Sequence, residues 1–317
     1  MPLVSVIIPT YRSSFVREAI QSVLDQKQSF LEIIVVDGSP EVTLHQIHDC
    51  VGCVRHIPQP PRGVSQARNI GIAAARGDYI ALLDADDLWL PDKLQTQLAL
   101  LSRYPKAGFC FSTTWNLVEG NNVAIPSEPY RPPQLCSWMR ANPKVGGAIY
   151  GSAYDLLLSV NCIATSSVIA QKAALMEVGL FDEALKNGED YDLWLRLARS
   201  HPVIYVCEPT SRYRVHYDGL SGSWSSRSEL FFRTNVRVLE KHMANAPSGM
   251  TRRALAQTLA DFAGFHLNHA QSVEARCMAL RSLRLQPSCA AIKCFIEAAW
   301  PRLYSVAARI ARASHIA

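Results

Sequence analysis

Three carboxylates close a short apolar run in Asp78-Tyr-Ile-Ala-Leu-Leu-Asp-Ala-Asp-Asp-Leu-Trp89: Asp84, Asp86 and Asp87. Carboxylates this close repel one another unless a cation sits among them. A hard divalent ion with oxygen ligands, Mg2+ or Mn2+, suits them best. Such a metal site can hold a diphosphate. An Asp-x-Asp also has a plainer use, in which Asp87 caps a helix starting near Pro91 and the other two acids are solvated. The elements around the acids decide between these readings.

Those elements alternate. Leu3 to Ile8 is apolar and β-branched, and Val16, Ala19, Ile20, Val23 and Leu24 then recur on one face of an amphipathic helix. Leu31-Glu-Ile-Ile-Val-Val-Asp37 is the next buried-strand candidate and also ends on an acid. A helical stretch from Val64 to Ala75 precedes the strand Tyr79 to Asp84, and Leu94, Leu98 and Leu101 mark the helix after it. Successive β-α units predict a parallel sheet covered by helices on both faces. Ligands of such sheets lie beyond the carboxyl ends of the strands, where Pro9-Thr-Tyr11, Asp37 and Asp84-Ala-Asp86 all fall. Isolated capping does not require that convergence. Arg62 to Asn69 reads as a loop entering a helix, a favourable place for phosphate. Gly188-Glu-Asp190 opens a helix whose first turn carries acids.

Five segments, in this order, resemble the glycosyltransferase family 2 group: Val6-Ile-Ile-Pro-Thr-Tyr11, Ile34-Val-Val-Asp-Gly-Ser39, Gly63-Val-Ser-Gln-Ala-Arg-Asn-Ile-Gly71, Leu82-Leu-Asp-Ala-Asp-Asp87 and Gly188-Glu-Asp-Tyr-Asp-Leu-Trp-Leu-Arg196. The likeness covers residues 3 to 224. It implies a GT-A-type α/β fold, with a Rossmann-like, mixed and mainly parallel sheet flanked by helices. It further implies that Pro9, Thr10, Tyr11 and Asp37 hold the base and ribose of a nucleotide-diphosphate sugar, a UDP-sugar first. The family form has two acids before the Gly-Ser, and this chain has one. By the same resemblance Arg68 contacts the nucleotide or positions the acidic loop through a salt bridge, and Asn69 is structural. Asp86 coordinates Mn2+ or Mg2+, Asp84 reaches the ribose or a metal-bound water, and Asp87 serves local structure. Asp190 is the general base that takes the proton of an acceptor hydroxyl in an inverting displacement, with Glu189 binding acceptor or supporting the loop. His216 approaches the metal or diphosphate, and Arg212 and Arg214 are further phosphate partners.

The implied activity is transfer of a sugar to a glycan or lipid-linked acceptor, in surface polysaccharide or other glycan synthesis. A nucleotide-sugar-binding scaffold without turnover is the alternative, opposed by the presence of both Asp86 and Asp190. Metal-dependent phosphohydrolysis is a second.

Composition sets the outer bounds. With 317 residues and 49% hydrophobic content, the chain can bury a large core with a smaller appendage: residues 1–224 as catalytic domain and 225–317 as a helical accessory region. The net charge of +5 is uneven, since residues 227–317 hold 13 Lys+Arg against 5 Asp+Glu. That excludes a nucleic-acid-binding body and favours a basic appendage able to meet an anionic membrane surface, above all through Arg302, Arg309 and Arg312. The 9 scattered cysteines fit reduced thiols, and Cys50 and Cys53 form a chance pair. No secretory signal or spanning stretch is evident, which predicts a cytoplasmic protein, peripheral at most on the inner face of the membrane. The Pro-rich stretch from Ile125 to Pro143 is expected to be a loop over the acceptor side.

Overall fold

Strand β1 (Val4–Thr10) is buried along its whole length, as its β-branched, apolar sequence requires of a central strand. A computed structural model describes residues 3–27, 30–41, 53–118, 124–126, 132–215, 228–245 and 248–299. β1 runs parallel to β2 (Leu31–Asp37) and β4 (Tyr79–Leu82), and β3 (Arg55–Pro58) extends the sheet beyond β2 in the same direction. Past β4 the direction changes. β10 (Ile169–Gln171) is antiparallel both to β4 and to β6 (Phe109–Val118), which itself runs parallel to β11 (Val203–Val215). β9 (Ala148–Gly151) and β8 (Lys144–Val145) complete the edge. The resulting order is β3-β2-β1-β4-β10-β6-β11-β9-β8, with β5 (Leu88–Trp89) on β11 and β7 (Ala124–Pro126) on β6. The sheet is mixed and mostly parallel, flanked by helices.

Helix α1 (Val16–Leu24) buries Val16, Ala19, Ile20 and Val23, while Leu24, at the end of the same stripe, is exposed. Helix α2 (Val64–Ala74) starts after Gly63, whose φ of 99° suits a residue without a Cβ. It then lies so close to β1 that a Cβ on Gly71 would stand 2.4 Å from the Ile7 side chain. Helix α3 (Lys93–Arg103) buries Leu94, Leu98 and Leu101, as their spacing predicts. The Pro-rich stretch is not a continuous loop: Pro133–Ala141 is helix α4, with proline in its first turn, where a missing N–H costs no hydrogen bond. Two short helices, α5 (Tyr154–Ser159) and α6 (Lys172–Glu177), lead to α7 (Glu189–Ser200).

The chain divides into two compact units, Met1–Tyr217 and Asp218–Ala317. The second contains helices α8 (Glu229–Asn245), α9 (Gly249–Asn268), α10 (Ser272–Leu285) and α11 (Cys289–Ala299). Phe232 stacks on Phe262 with ring centroids 5.2 Å apart, tying α8 to α9. Among the described residues no helix is long and apolar enough to cross a membrane. The segment 300–317, with Arg302, Arg309 and Arg312, lies outside the described residues, as does Cys50.

Candidate active site

Parallel strands bring Thr10, Asp37 and the residues after Leu82 to one edge of the sheet. Pro9 is buried in β1 beyond Ile7, the last β1 residue paired with β4, so its missing N–H breaks no bond on that side. The Thr10 carbonyl accepts from Gly38 N–H at 2.9 Å, while Thr10 Oγ1 is buried without a hydrogen-bond partner. Tyr11 projects into solvent, 56% exposed, with the Arg12 guanidinium 5.4 Å from its ring centre.

Asp37 is fully buried. Its Oδ1 accepts from Ser39 N–H at 2.7 Å and Ser39 Oγ at 3.3 Å, and Oδ2 lies 2.9 Å from His56 Nε2 on β3. The acid is thus a turn cap and a strand-to-strand tie at once.

The acidic loop is held from three sides. Arg68, buried in α2, donates from Nη2 to Asp84 Oδ1 at 2.7 Å and from Nη1 to Glu189 Oε1 at 2.8 Å. Its guanidinium also lies 5.1 Å from the Phe181 ring centre. Burial works against the Arg68 charge, but Asp84 and Glu189 outweigh it, and its pKa is raised. Of the two roles expected for Arg68, the salt bridge is present. Arg214 on β11 donates from its backbone N–H to Asp87 Oδ1, from Nε to the Asp86 carbonyl, and from Nη2 to Glu18 Oε2, all at 2.8–2.9 Å. It also stacks 3.9 Å from the Phe15 ring centre, so it clamps the loop to α1. Ser166 Oγ donates to Asp87 Oδ2 at 2.5 Å. Asp87 therefore does not cap the following helix, which begins at Lys93 with Asp92 in the capping position. Burial first, then Asp84 and Asp86, push the Asp87 carboxyl well above its ordinary range.

Gly188, at a φ of 75°, turns the chain into α7, where Glu189 and Asp190 occupy the first turn. Asp190 Oδ1 accepts from Tyr191 N–H at 2.6 Å, and Oδ2 from Thr165 Oγ1 at 3.3 Å. Burial, Glu189 and Asp84 raise the Asp190 carboxyl to about 7 against the opposing pull of Arg68. A carboxylate poised near neutrality is suited to proton transfer.

Arg68 thus brings Asp84 together with Glu189, the immediate neighbour of Asp190. Asn69 bonds to both the carbonyl and the N–H of Phe181, a structural role. Trp194 is packed between Phe109 and Phe181 in the core. His216 lies outside the described residues. Sequence reasoning missed His56, Thr165 and Ser166; the only signal for the last two was a polar Thr-Ser-Ser run just before the apolar Val168-Ile-Ala170.

Among the described residues, no group of three or more His, Cys, Asp or Glu side chains is placed to hold a metal ion unaided. Asp84 and Asp86 nevertheless fit a hard divalent cation. Both are partly exposed carboxylates just beyond β4, and carboxylate oxygens are the donors such a cation takes. Ligand oxygens would have to supply the remaining coordination.

Residues 5–154 match the family model described as "Glycosyl transferase family 2". An uncharacterised glycosyltransferase of Rickettsia typhi is 30% identical over 221 residues, which take in 68% of this chain and 64% of that protein. The chain thus spans just under two thirds of that relative. A structure of S. aureus TarS residues 1–349 with UDP-GlcNAc superposes with a TM-score of 0.65 at 16% identity, covering 93% of this chain and 89% of that one. The mannosyltransferase PcManGT of Pyrobaculum calidifontis, with GDP-Man and Mn2+, gives a TM-score of 0.58 at 17% identity over 96% of this chain and 81% of that one. These two likenesses establish a GT-A-type fold.

Proposed function

Through residues 5–154 this chain belongs to glycosyl transferase family 2, and from that premise we propose that it moves a sugar from a nucleoside-diphosphate donor to an acceptor hydroxyl with inversion. The observation that carries this reading is the Arg68 bridge. It ties Asp84, at the sheet edge where nucleotides bind in such folds, to Glu189 beside a carboxylate raised to about 7.

The exposed Tyr11 ring stacks on the base, and the unpartnered Thr10 hydroxyl bonds to the nucleoside. Asp37 serves the base and ribose side, where it holds Ser39 and His56 in place. Asp84 and Asp86 serve the ribose and diphosphate; Asp86 would hold the metal, and His216, outside the described residues, is the second protein ligand expected from the family pattern. Mn2+ or Mg2+ held there would screen the diphosphate and the charge that builds as it departs. Asp190 takes the acceptor proton as the hydroxyl attacks the anomeric carbon. A base on that side serves a single displacement, whereas retention would need a nucleophile on the opposite face of the sugar.

UDP-sugars are the first donors to try and GDP-mannose the second, because TarS and PcManGT were solved with UDP-GlcNAc and GDP-Man. The acceptor is a glycan or a lipid-linked acceptor, in surface polysaccharide or other glycan synthesis. The basic excess of residues 227–317 supports peripheral contact with an anionic membrane from the cytoplasmic side.

The test is a donor panel of UDP-GlcNAc, UDP-glucose and GDP-mannose with Mn2+ and candidate glycan acceptors, following nucleoside diphosphate release and the anomeric configuration of the product by NMR. Glycosylated product of inverted configuration is expected. Free sugar released at the rate of donor consumption would make the protein a hydrolase, and binding without turnover a scaffold.

A further inference from the structure

Two acidic segments far apart in sequence, 84–87 and 189–190, are bound by one buried turn, the 3-10 segment Thr165–Ser167. Ser166 Oγ donates to Asp87 Oδ2 at 2.5 Å and accepts from the Asp84 N–H at 3.0 Å. Thr165 Oγ1 donates to Asp190 Oδ2 at 3.3 Å. The carbonyls of the turn are held as firmly. Trp89 Nε1 donates to Ser166 O at 2.9 Å, and Lys93 Nζ and Gln97 Nε2 both donate to Ser167 O, at 2.8 and 2.9 Å.

Lys93 is the unexpected member. It is fully buried in α3 and bonded to Gln97 Oε1 at 2.6 Å and to the Ser167 carbonyl, with the Trp89 ring centre 5.1 Å away. None of these partners is a carboxylate. An ammonium taken out of water without a counter-ion is costly, and an apolar side chain of similar length would fill the space at no such cost. Burial accordingly pushes Lys93 down to about 7. The bonds it makes to the turn are what distinguish it from a methionine in the same place.

We propose that Thr165 and Ser166 are positioning residues that set the acidic loop and the Asp190 carboxylate relative to one another, and that Lys93 anchors the turn that carries them. This rests on the reading of Asp190 as the base, so Asp190→Asn is measured alongside.

The experiment compares Thr165→Val, Thr165→Ser and Lys93→Met in the full chain, with UDP-GlcNAc or whichever panel donor supports turnover, and with UDP and Mn2+ as the calorimetric probe. Removing the hydroxyl in Thr165→Val should lower kcat about tenfold while donor KM and UDP affinity stay within about twofold of wild type. Thr165→Ser should restore kcat. Lys93→Met should lower kcat and also raise donor KM, because the turn serves both acidic segments. Wild-type kcat in Thr165→Val beside an inactive Asp190→Asn overturns the proposal and leaves the base assignment standing. An active Asp190→Asn overturns the base assignment itself. If Lys93→Met fails to fold, the Thr165 pair decides: equal losses in the Val and Ser variants mean packing alone, and the proposal falls.

Discussion

Asp37 and Asp190 are both acids at the end of an element that reaches the site, and their surroundings differ in charge. Asp37 takes two bonds from Ser39 and one from His56, and is sealed from solvent. Asp190 takes one backbone and one hydroxyl bond, with Glu189 as its sequence neighbour, Asp84 adding to the repulsion, and Arg68 spent on those two acids. Donors without competing charge make a carboxylate an anchor. A carboxylate raised first by burial and then by its acidic neighbours, with the nearest cation bound to those neighbours, holds its proton to near neutral pH and stays able to exchange it.

The largest test of this contrast is Asp190→Asn, which should cut turnover by about 10²-fold or more while leaving UDP affinity in Mn2+ unchanged. Near-wild-type turnover on a true acceptor would move the base to Glu189. Next is Arg68→Met, which strands Asp84 and Glu189 and should destabilise the fold by about 3–5 kcal/mol in denaturant unfolding. Arg68 also holds Asp190 down, so its loss should shift the activity midpoint to higher pH; an unmoved profile in a folded variant would detach Arg68 from the base.

The wild-type pH profile comes third. A base raised from 3.8 to about 7 must ionise to act, so kcat/KM should climb as pH passes about 7. Stability runs the other way. A folded pKa above the unfolded one contributes stability that is full below about 3.8 and is lost as pH rises through about 7. Asp190→Asn lacks that loss, and its melting temperature relative to wild type should rise between pH 5 and pH 8. A constant difference would mean that Asp190 ionises in the folded protein as it does in the unfolded chain. The smallest effect belongs to the anchor: His56→Leu removes one of three bonds to Asp37 and should cost about 1–3 kcal/mol, with a modest loss of UDP affinity and no change in the pH of half-maximal activity. A shifted profile would show that the two acids are not independent.

Much of the β1-β2-β4 side of the sheet was legible in the chain. Two-sided burial demands near-continuous hydrophobic runs, and Val4–Thr10, Leu31–Asp37 and Tyr79–Leu82 announce themselves that way. Leu94, Leu98 and Leu101 likewise fix the buried face of α3. Short elements carry too few residues for a period to appear, and β5, β10 and the Thr165–Ser167 turn went unread. Arg214 was expected to meet phosphate, yet it spends its guanidinium on Glu18 and the Asp86 carbonyl, partners 196 and 128 residues away.

Sequence by itself determined which residue types stand at the strand ends and at the start of α7, because local period and turn residues act over a few positions. Only the tertiary structure decided what each acid experiences. Asp84, Asp87 and Asp190 are chemically alike in the chain. Arg68, reaching Asp84 and Glu189 across 16 and 121 residues, and Ser166, reaching Asp87 across 79, make them different. Burial and long-range charge set a carboxylate's proton affinity, and both exist only once the chain has folded.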